Sequence, residues 1–238
     1  MLAPADRVIM ISGANRGIGY GVARRLAASG FRLSLGARDL AALSAAVADL
    51  PAERTACFAY DAADLGLAEA WVAGTVARFG RIDGLVNNAG IAKPPYRLDD
   101  ADESALDAMW AVNVKGPLRL VRLALPHLLA CGHGRVVNVA SLSGKRVKND
   151  NVGYAMTKYA VVALTHAIRR HGWDQGLRAT AVCPSFVRTD LTADVDKVTA
   201  DEMIQPEDLA QLVETALNLP DNAVVAEMLV NCRLEDLF

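Results

Sequence analysis

Residues 7–19 read RVIMISGANRGIG, an apolar run followed at once by a turn rich in glycine. The run VIMI is apolar throughout, as expected of a strand that is covered on both faces of a sheet. The glycines at positions 13, 17 and 19 permit a tight turn, and helical periodicity begins at Ile18. Such a strand–turn–helix unit offers the N-terminus of a helix to a phosphate group. The spacing is GxxxGxG rather than GxGxxG, and a plain tight connection is the structural alternative.

The alternation of short apolar runs and longer helical segments continues along the chain. The predicted strands are 7–12, 32–37, 55–60, 82–87, 135–140, 178–183 and 226–230. The predicted helices are 18–29, 40–50, 65–79, 103–129, 154–171 and 207–217. This alternation predicts a doubly wound, Rossmann-type α/β fold, in which a seven-stranded parallel sheet has helices on both faces. No linker or repeat interrupts it, so we expect a single domain over residues 1–238.

Composition narrows the class of protein. The chain has 238 residues, of which 53% are hydrophobic and 22% are charged, and its formal net charge is −2. This balance is typical of a packed globular protein, and the near-neutral charge disfavours a nucleic-acid binder. No apolar run reaches the roughly 18 residues of a membrane helix, and Asp6 and Arg7 interrupt any signal peptide. The four cysteines lack zinc spacing. We therefore expect a cytoplasmic protein without a metal, a nucleic-acid partner or a membrane partner.

The end of the second predicted strand indicates which nucleotide would bind. A carboxylate there would accept the ribose 2′-hydroxyl of NAD, but the sequence reads LGAR at 35–38, with no acid before Asp39. Arg38, together with Arg16 in the glycine turn, is suited to contact a 2′-phosphate. This favours NADP(H) over NAD(H). The alternative is that both arginines belong to a solvated rim.

Two further strand ends carry polar residues. Asp61 follows the third strand, where its carboxylate would accept from an adenine amino group or, equally well, cap the next helix. The sequence NNAG at 87–90 follows the fourth strand, and its small residues would let a nucleotide lie against the backbone. A simple turn is the alternative there.

A candidate for proton chemistry follows the fifth strand. This strand leads into Ser141, and Tyr154 and Lys158 lie four residues apart, on one face of a helix. A tyrosine with an ordinary pKa of about 10 is a poor base at neutral pH, whereas a nearby cation favours the phenolate. A phenol tuned in this way exchanges a proton with a carbonyl or alcohol oxygen. Taken alone, YxxxK also fits an ordinary helix with a half-buried tyrosine and a snorkelling lysine.

The motifs together resemble the short-chain dehydrogenase/reductase family over essentially the whole chain. They are, in order, SGANRGIG at 12–19, NNAG at 87–90, Asn113 in MWAVNVKG, Ser141, and Tyr154 with Lys158 in YAMTK. The resemblance implies that Tyr154 is the general acid/base and that Ser141 positions the substrate oxygen. It further implies that Lys158 lowers the pKa of the tyrosine and binds the nicotinamide ribose. Asn113 would hold a water that links Lys158 to solvent.

The residues and the resemblance together predict the cofactor contacts. These are Gly13, Asn15, Arg16, Gly17, Ile18, Gly19, Arg38, Asp61, Asn87, Ala89, Gly90, Tyr154, Lys158, Pro184, Val187 and Thr189. The chain departs from the family where Ser185 replaces glycine, at a position that would need the freedom of a glycine backbone. Phe186 beside it would crowd the nicotinamide pocket.

Features of the predicted mouth bear on the substrate. Lys145, Arg146 and Lys148 lie between Ser141 and Tyr154, where three cations would attract an anionic substrate. A solvated loop or a subunit contact explains them equally well. The polar segment 190–205 is suited to form a lid that orders on binding.

The overall prediction is an NADP(H)-dependent oxidoreductase that interconverts a carbonyl and an alcohol. The alternative is a non-catalytic NADP-binding regulator or scaffold, suggested by Ser185 and Phe186. Apolar residues on several faces of helices 103–129 and 154–171, such as Leu118, Val121, Val161 and Leu164, indicate a subunit interface. The family resemblance implies a homodimer or homotetramer built on these helices.

Overall fold

A computed structural model describes residues 2–235, and these residues form the predicted parallel sheet. Residues 1 and 236–238 of the predicted domain lie outside the described residues. The strands are β1 Val8–Ser12, β2 Arg32–Ala37, β3 Thr55–Ala59, β4 Gly84–Asn87, β5 Arg135–Val139, β6 Arg178–Pro184 and β7 Glu227–Val230. Their order is β3-β2-β1-β4-β5-β6-β7, and every neighbouring pair is parallel. The predicted fold class is therefore confirmed.

Helices cover both faces of this sheet. Within residues 2–235 the α-helices are α1 Gly17–Ala28, α2 Leu40–Ala46, α3 Leu65–Phe79, α4 Ser104–Trp110, α5 Gly116–Ala130, α6 Val152–Gly172 and α7 Pro206–Asn218. Ile9 and Ile11 of β1 share one buried cluster with α1, α2 and α7. Met10 between them belongs to the opposite cluster, with α3, α5 and Trp71. Successive strand residues thus enter different cores, which explains why the strands are apolar throughout.

The chain changes direction between β1 and β4. β2 and β3 lie on one side of β1, and β4 to β7 follow on the other side. In a doubly wound sheet, ligands bind beyond the carboxyl ends of the strands at this switch point. The glycine turn after β1 and the NNAG segment after β4 both lie at that edge.

Two predicted helices differ from the observed ones. The helix expected over 103–129 is divided into α4 and α5 by a π-helical segment, Ala111–Lys115. Such π segments are frequent at functional sites, and this one contains Asn113. The helix expected over 40–50 ends at Ala46, after which the chain tightens, with the Leu50 N–H donating to the Val47 carbonyl at 3.0 Å.

Candidate active site

The glycine turn is built so that only glycine fits at three positions. Gly13 and Gly17 have φ of +67° and +54°, in the left-handed region that side chains rarely adopt. A Cβ on Gly19 would lie 2.2 Å from the carbonyl oxygen of Gly13, which is a severe overlap. Between them, Asn15 is half-buried and Ile18 packs against the core under α1. The turn therefore brings bare backbone to the sheet edge.

Ser12 and Asn88 lock this turn to the NNAG segment. The Ser12 hydroxyl accepts from the N–H groups of Asn88 and Ala89, each at 3.0 Å. The Asn88 amide donates in return to the carbonyls of Ser12 and Gly13, at 3.0 and 3.2 Å. Sequence reasoning missed Asn88 as a site residue. Its signal was present, because an amide after a buried strand has to find partners at the sheet edge.

The start of α1 fits an anionic dinucleotide. Arg16 is the N-cap, its side chain makes no capping bond, and no acidic residue occupies the first turn. The helix N-terminus and its free N–H groups therefore suit a pyrophosphate. Asn87 lies nearby, donating to Asn138 Oδ1 at 2.8 Å, while its own Oδ1 is buried without a partner among residues 2–235.

The two arginines predicted to contact a 2′-phosphate differ in their surroundings. Arg38 is exposed at the end of β2 and has no ion-pair partner within the described residues. Arg16 instead contacts Asp190, with 2.6 Å between Nη1 and Oδ2. Asp39, the next acid after Arg38, caps α2 through the Ala42 N–H. Its carboxylate is thus already engaged.

Asp61 lies at the end of β3 but is not the cap of α3. Its carboxylate accepts from the Ala63 N–H at 2.9 Å. Asp64 is the N-cap of α3 and accepts from the Leu67 N–H at 3.0 Å. The capping alternative for Asp61 is therefore wrong, because the helix begins three residues later than that alternative requires.

Ser141, Tyr154 and Lys158 come together beyond β5. The Ser141 side chain lies near the Tyr154 phenol, close enough to act on its pKa. Lys158 Nζ lies 5.6 Å from the centroid of the Tyr154 ring and donates to the Val139 carbonyl at 2.8 Å. Gly90 completes the cluster from β4, since a Cβ there would lie 3.7 Å from Lys158 Nζ. The residues predicted from β4, β5 and α6 thus meet at one place.

Burial dominates the protonation of this cluster. It raises the pKa of the Tyr154 phenol to about 12, against the opposing effect of the nearby Ser141 side chain. Burial also lowers the pKa of the Lys158 ammonium to about 8, because the side chain is only 6% exposed. The expected lowering of the tyrosine pKa by Lys158 is not found in the protein alone. The ammonium faces the ring and donates to a carbonyl, so it does not stabilise a phenolate directly.

Asn113 faces this cluster from the π segment. It is only 2% exposed, and its amide is bonded to the backbone of Ile91 and to the Thr157 hydroxyl. The contact with Thr157 places Asn113 beside α6, because Thr157 directly precedes Lys158 on that helix. Its side chain is thereby committed to protein partners and positions the segment after β4.

Asn151 is a second amide that sequence reasoning missed. It is the N-cap of α6, and its Oδ1 accepts from the Tyr154 N–H at 3.1 Å. The same oxygen accepts from the Tyr96 N–H at 3.2 Å, and Nδ2 donates to the Ala92 carbonyl at 2.8 Å. Asn151 therefore ties the start of the tyrosine helix to the segment after β4. An Asn three residues before Tyr154 is the cap signal that pointed to it.

The end of β6 explains the departure at Ser185. The Ser185 N–H continues the β6–β7 ladder by donating to the Val230 carbonyl at 2.8 Å. Ser185 does not have a positive φ, because Asp6 is the one non-glycine residue within 2–235 that does. The expected need for glycine freedom at Ser185 is therefore wrong. Its hydroxyl accepts from the Cys232 N–H at 3.0 Å and lies 3.1 Å from Cys232 Sγ.

The remaining predicted residues of this region approach the glycine turn. Pro184 ends β6, and Val187 is buried and forms a bridge to Ile204. The methyl carbon of Thr189 lies 3.0 Å from the position of a Cβ on Gly17. The segment after β6 therefore begins against the turn.

The three cations between Ser141 and Tyr154 are all paired. Lys145 contacts Glu227 at 2.7 Å, and both Arg146 and Lys148 contact Glu235, at 2.7 and 2.9 Å. Two carboxylates thus offset most of the positive charge, and the expected attraction for an anionic substrate loses its main support.

Three further ion pairs join segment 190–204 to its neighbours across the mouth, and we call them the lid pairs. They are Arg16–Asp190, Lys93–Asp194 and Arg233–Glu202. The segment predicted as a lid is thereby connected to the glycine turn, to the segment after β4 and to the segment after β7.

The described part of the chain holds neither a cluster of metal ligands nor a membrane-spanning helix. Across residues 2–235, no three His, Cys, Asp or Glu side chains are grouped so that they would hold a metal ion. No helix in this range has both the length and the apolar character needed to cross a membrane.

Residues 7–200 match the family model described as short chain dehydrogenase. The chain belongs to the short-chain dehydrogenase/reductase family. This short-chain dehydrogenase/reductase is 44% identical over 231 residues to an agropine synthesis reductase of Rhizobium rhizogenes. The aligned region covers 97% of this chain and 53% of that protein. The chain thus spans about half the length of the curated relatives first matched.

Solved structures of other oxidoreductases superimpose closely on this family member. One is a 3-ketoacyl-(acyl-carrier-protein) reductase from Brucella melitensis complexed with NADH, with a TM-score of 0.88 and 27% identity, covering 96% of this chain and 98% of that one. Another is a metagenomic short-chain oxidoreductase in complex with NADP, with a TM-score of 0.82 and 29% identity, covering 98% and 100%. Both kinds of nicotinamide nucleotide therefore occur among its structural neighbours.

Proposed function

We propose that this chain is an NADP(H)-dependent oxidoreductase that interconverts a carbonyl group and an alcohol, with Tyr154 as general acid/base. The observation that carries the proposal is the cluster of Ser141 and Tyr154 next to the buried ammonium of Lys158, whose Nζ lies 5.6 Å from the centroid of the Tyr154 ring. The cluster lies at the sheet edge where the glycine turn exposes its backbone. A proton donor and a dinucleotide site thus share one cleft.

The cofactor would lie along the carboxyl edge of the sheet. The glycine turn and the start of α1 would hold its pyrophosphate, and residues 87–90 and 184–189 would flank it. Arg38 supports a preference for NADP(H), since it is exposed and has no ion-pair partner among residues 2–235. When bound, the nicotinamide supplies or accepts the hydride.

Tyr154 would move the proton that accompanies the hydride. With a pKa of about 12, the phenol is protonated at neutral pH and suited to donate to the oxygen of a carbonyl. Ser141 would hold the same oxygen in line. Lys158 would contact the nicotinamide ribose.

Exposed apolar side chains support a homodimer or homotetramer. Leu118, Met156 and Tyr159, on α5 and α6, are 44–47% exposed, and Met156 and Tyr159 line an apolar groove of about 360 Å³. Two of the residues expected at this interface, Val121 and Val161, are instead buried in the core.

The test is turnover with NADPH and a panel of ketones and aldehydes, using Tyr154→Phe against a matched variant. Tyr154→Phe removes only the proton donor, so we expect turnover to fall about 100-fold or more while NADPH still binds. Tyr159→Phe is the control, because Tyr159 lies on the same helix and is 44% exposed. Equal turnover in both variants would refute the role of Tyr154.

The same assay distinguishes the oxidoreductase proposal from the alternative of a non-catalytic NADP-binding regulator or scaffold. That alternative predicts tight NADPH binding by the unmodified protein and no turnover of any carbonyl in the panel. Absence of both NADPH and NADH binding would refute the oxidoreductase proposal as well.

A further inference from the structure

We propose that Asp190 sets how strongly the protein distinguishes NADPH from NADH, by neutralising Arg16. The inference rests on the proposed function, because it concerns the nucleotide of that same site. It assigns a role to an acidic residue outside the predicted cofactor contacts.

The ion pair joins two segments that enclose the glycine turn. Arg16 immediately precedes α1, and Asp190 begins the short helical turn Asp190–Thr192 after β6. Their Nη1 and Oδ2 atoms are 2.6 Å apart. Thr189, the neighbour of Asp190 in sequence, approaches the turn, since its methyl carbon lies 3.0 Å from the Cβ site of Gly17. Asp190 is therefore next to the turn through its backbone as well as through its side chain.

This pairing weakens what Arg16 offers to a phosphate. A pair made of a guanidinium and a carboxylate has little net charge, and Asp190 also occupies one of the donor nitrogens of Arg16. A 2′-phosphate brought to Arg16 would meet the negative charge of Asp190 at short range. Arg38, which has no such partner in the described part of the chain, would then carry most of the phosphate recognition.

Asp190 and the 2′-phosphate compete for Arg16, and this competition affects only one of the two nucleotides. NADH has a hydroxyl where NADPH has the 2′-phosphate, so repulsion by Asp190 falls mainly on NADPH. Selectivity is a difference between two affinities, and a group that opposes one ligand changes it without touching the other. The ion pair therefore lowers the preference for NADPH below what two free arginines would give.

The test is a titration of the purified full chain with NADPH and with NADH, followed by nucleotide fluorescence, in the unmodified protein and in Asp190→Asn. Asparagine keeps the shape of the side chain and removes its charge. Both side chains of the pair are well exposed, at 66% and 71%, so the effect is that of a surface ion pair. We expect the Kd for NADPH to fall about fivefold and the Kd for NADH to stay the same.

Asp194→Asn is the matched control, because it removes another lid pair without touching Arg16. It should leave the ratio of the two Kd values unchanged. In an Arg16→Gln background, Asp190→Asn should improve NADPH binding much less, since the larger part of its effect passes through the guanidinium.

Three results would overturn the inference while leaving the proposed function intact. These are equal changes for both nucleotides, the same shift in Asp194→Asn, or a gain that is equally large without Arg16. Failure of the unmodified protein to bind either nucleotide would instead refute the proposed function, and the inference with it.

Discussion

The side-chain amide of Asn113 is hydrogen-bonded at both of its ends to the backbone of Ile91. Nδ2 donates to the Ile91 carbonyl and Oδ1 accepts from the Ile91 N–H, both at 2.8 Å. Nδ2 also donates to Thr157 Oγ1 at 3.1 Å, and Thr157 precedes Lys158 on α6. One buried side chain therefore connects the π segment, the segment after β4 and the helix of the candidate catalytic residues.

Removal of this amide should destabilise the protein. Asn113→Ala would leave the Ile91 N–H and carbonyl without their partner in a half-buried position, and we expect the free energy of unfolding to fall by about 2–3 kcal/mol. Urea denaturation followed by circular dichroism measures this change. Asn222→Ala, at an exposed asparagine, is the control and should change stability by less than about 0.5 kcal/mol. Equal losses in the two variants would contradict a special role for Asn113.

Asn151 should act on turnover as a positioning residue, through Tyr154. Asn151→Ala removes the cap of α6 and the contacts to Ala92 and Tyr96. A small displacement of the phenol slows proton transfer, so we expect kcat to fall about tenfold while the Kd for NADPH changes less than about twofold. Asn151→Asp keeps the accepting oxygen and should recover part of kcat. An unchanged kcat, or a loss explained by NADPH binding, would contradict this role.

Lys158 should reduce stability at neutral pH. Burial lowers its pKa from 10.5 to about 8, so below about pH 8 the folded state bears the full cost of a buried charge. Between about pH 8 and 10.5 the unfolded chain binds more protons, and stability due to this group rises with pH. Lys158→Met should therefore raise the free energy of unfolding by about 2–3 kcal/mol near neutral pH. The gain should be far smaller at about pH 10.5, where Lys158 is neutral in the folded state.

Urea unfolding of Lys158→Met and the unmodified protein at both pH values measures this difference. Lys145→Met is a useful comparison, since Lys145 is paired with Glu227 and its pKa is raised by that hydrogen bond. It should not gain stability at neutral pH. A gain in Lys158→Met that is the same at both pH values would mean that packing, and not charge, is responsible.

Ser185→Gly should not improve the enzyme, although it restores the residue that the family prefers. The backbone of Ser185 already continues the β6–β7 ladder, so glycine offers no relief of strain there. It would remove the hydroxyl contacts with Cys232 and lower the free energy of unfolding by about 1 kcal/mol. Ser185→Ala separates loss of the hydroxyl from the added backbone freedom. A higher kcat in Ser185→Gly alone would contradict this account.

Local features of the chain were predictable from the sequence, because their physical causes are local. Apolar runs and helical periodicity located all seven strands, and the glycines of the first turn have φ values or contacts that exclude side chains. Spacing was also sufficient to bring Tyr154 and Lys158 to one face of α6.

What could not be predicted depends on contacts between distant residues. Arg16 and Asp190 are 174 positions apart in the sequence, and Arg146 and Glu235 are 89 apart. No local sequence pattern therefore predicts either ion pair. The π segment contains Asn113, which is bonded to Ile91 outside the helix. The spacing of apolar residues along the chain does not distinguish this segment from a continuous α-helix. The pKa of Tyr154 follows from burial, which depends on the complete fold.

The two sides of the mouth differ in how they respond to dissolved salt. The side chains of the lid pairs are 48–80% exposed, whereas those of Arg146 and Glu235 are only 10% and 12% exposed. Mobile ions screen exposed charges far more than enclosed ones, over a distance of about 8 Å at physiological ionic strength. Rising ionic strength therefore loosens segment 190–204 and leaves Glu235 attached to Arg146. A rate limited by nucleotide release accelerates under these conditions, while a rate limited by hydride transfer stays constant.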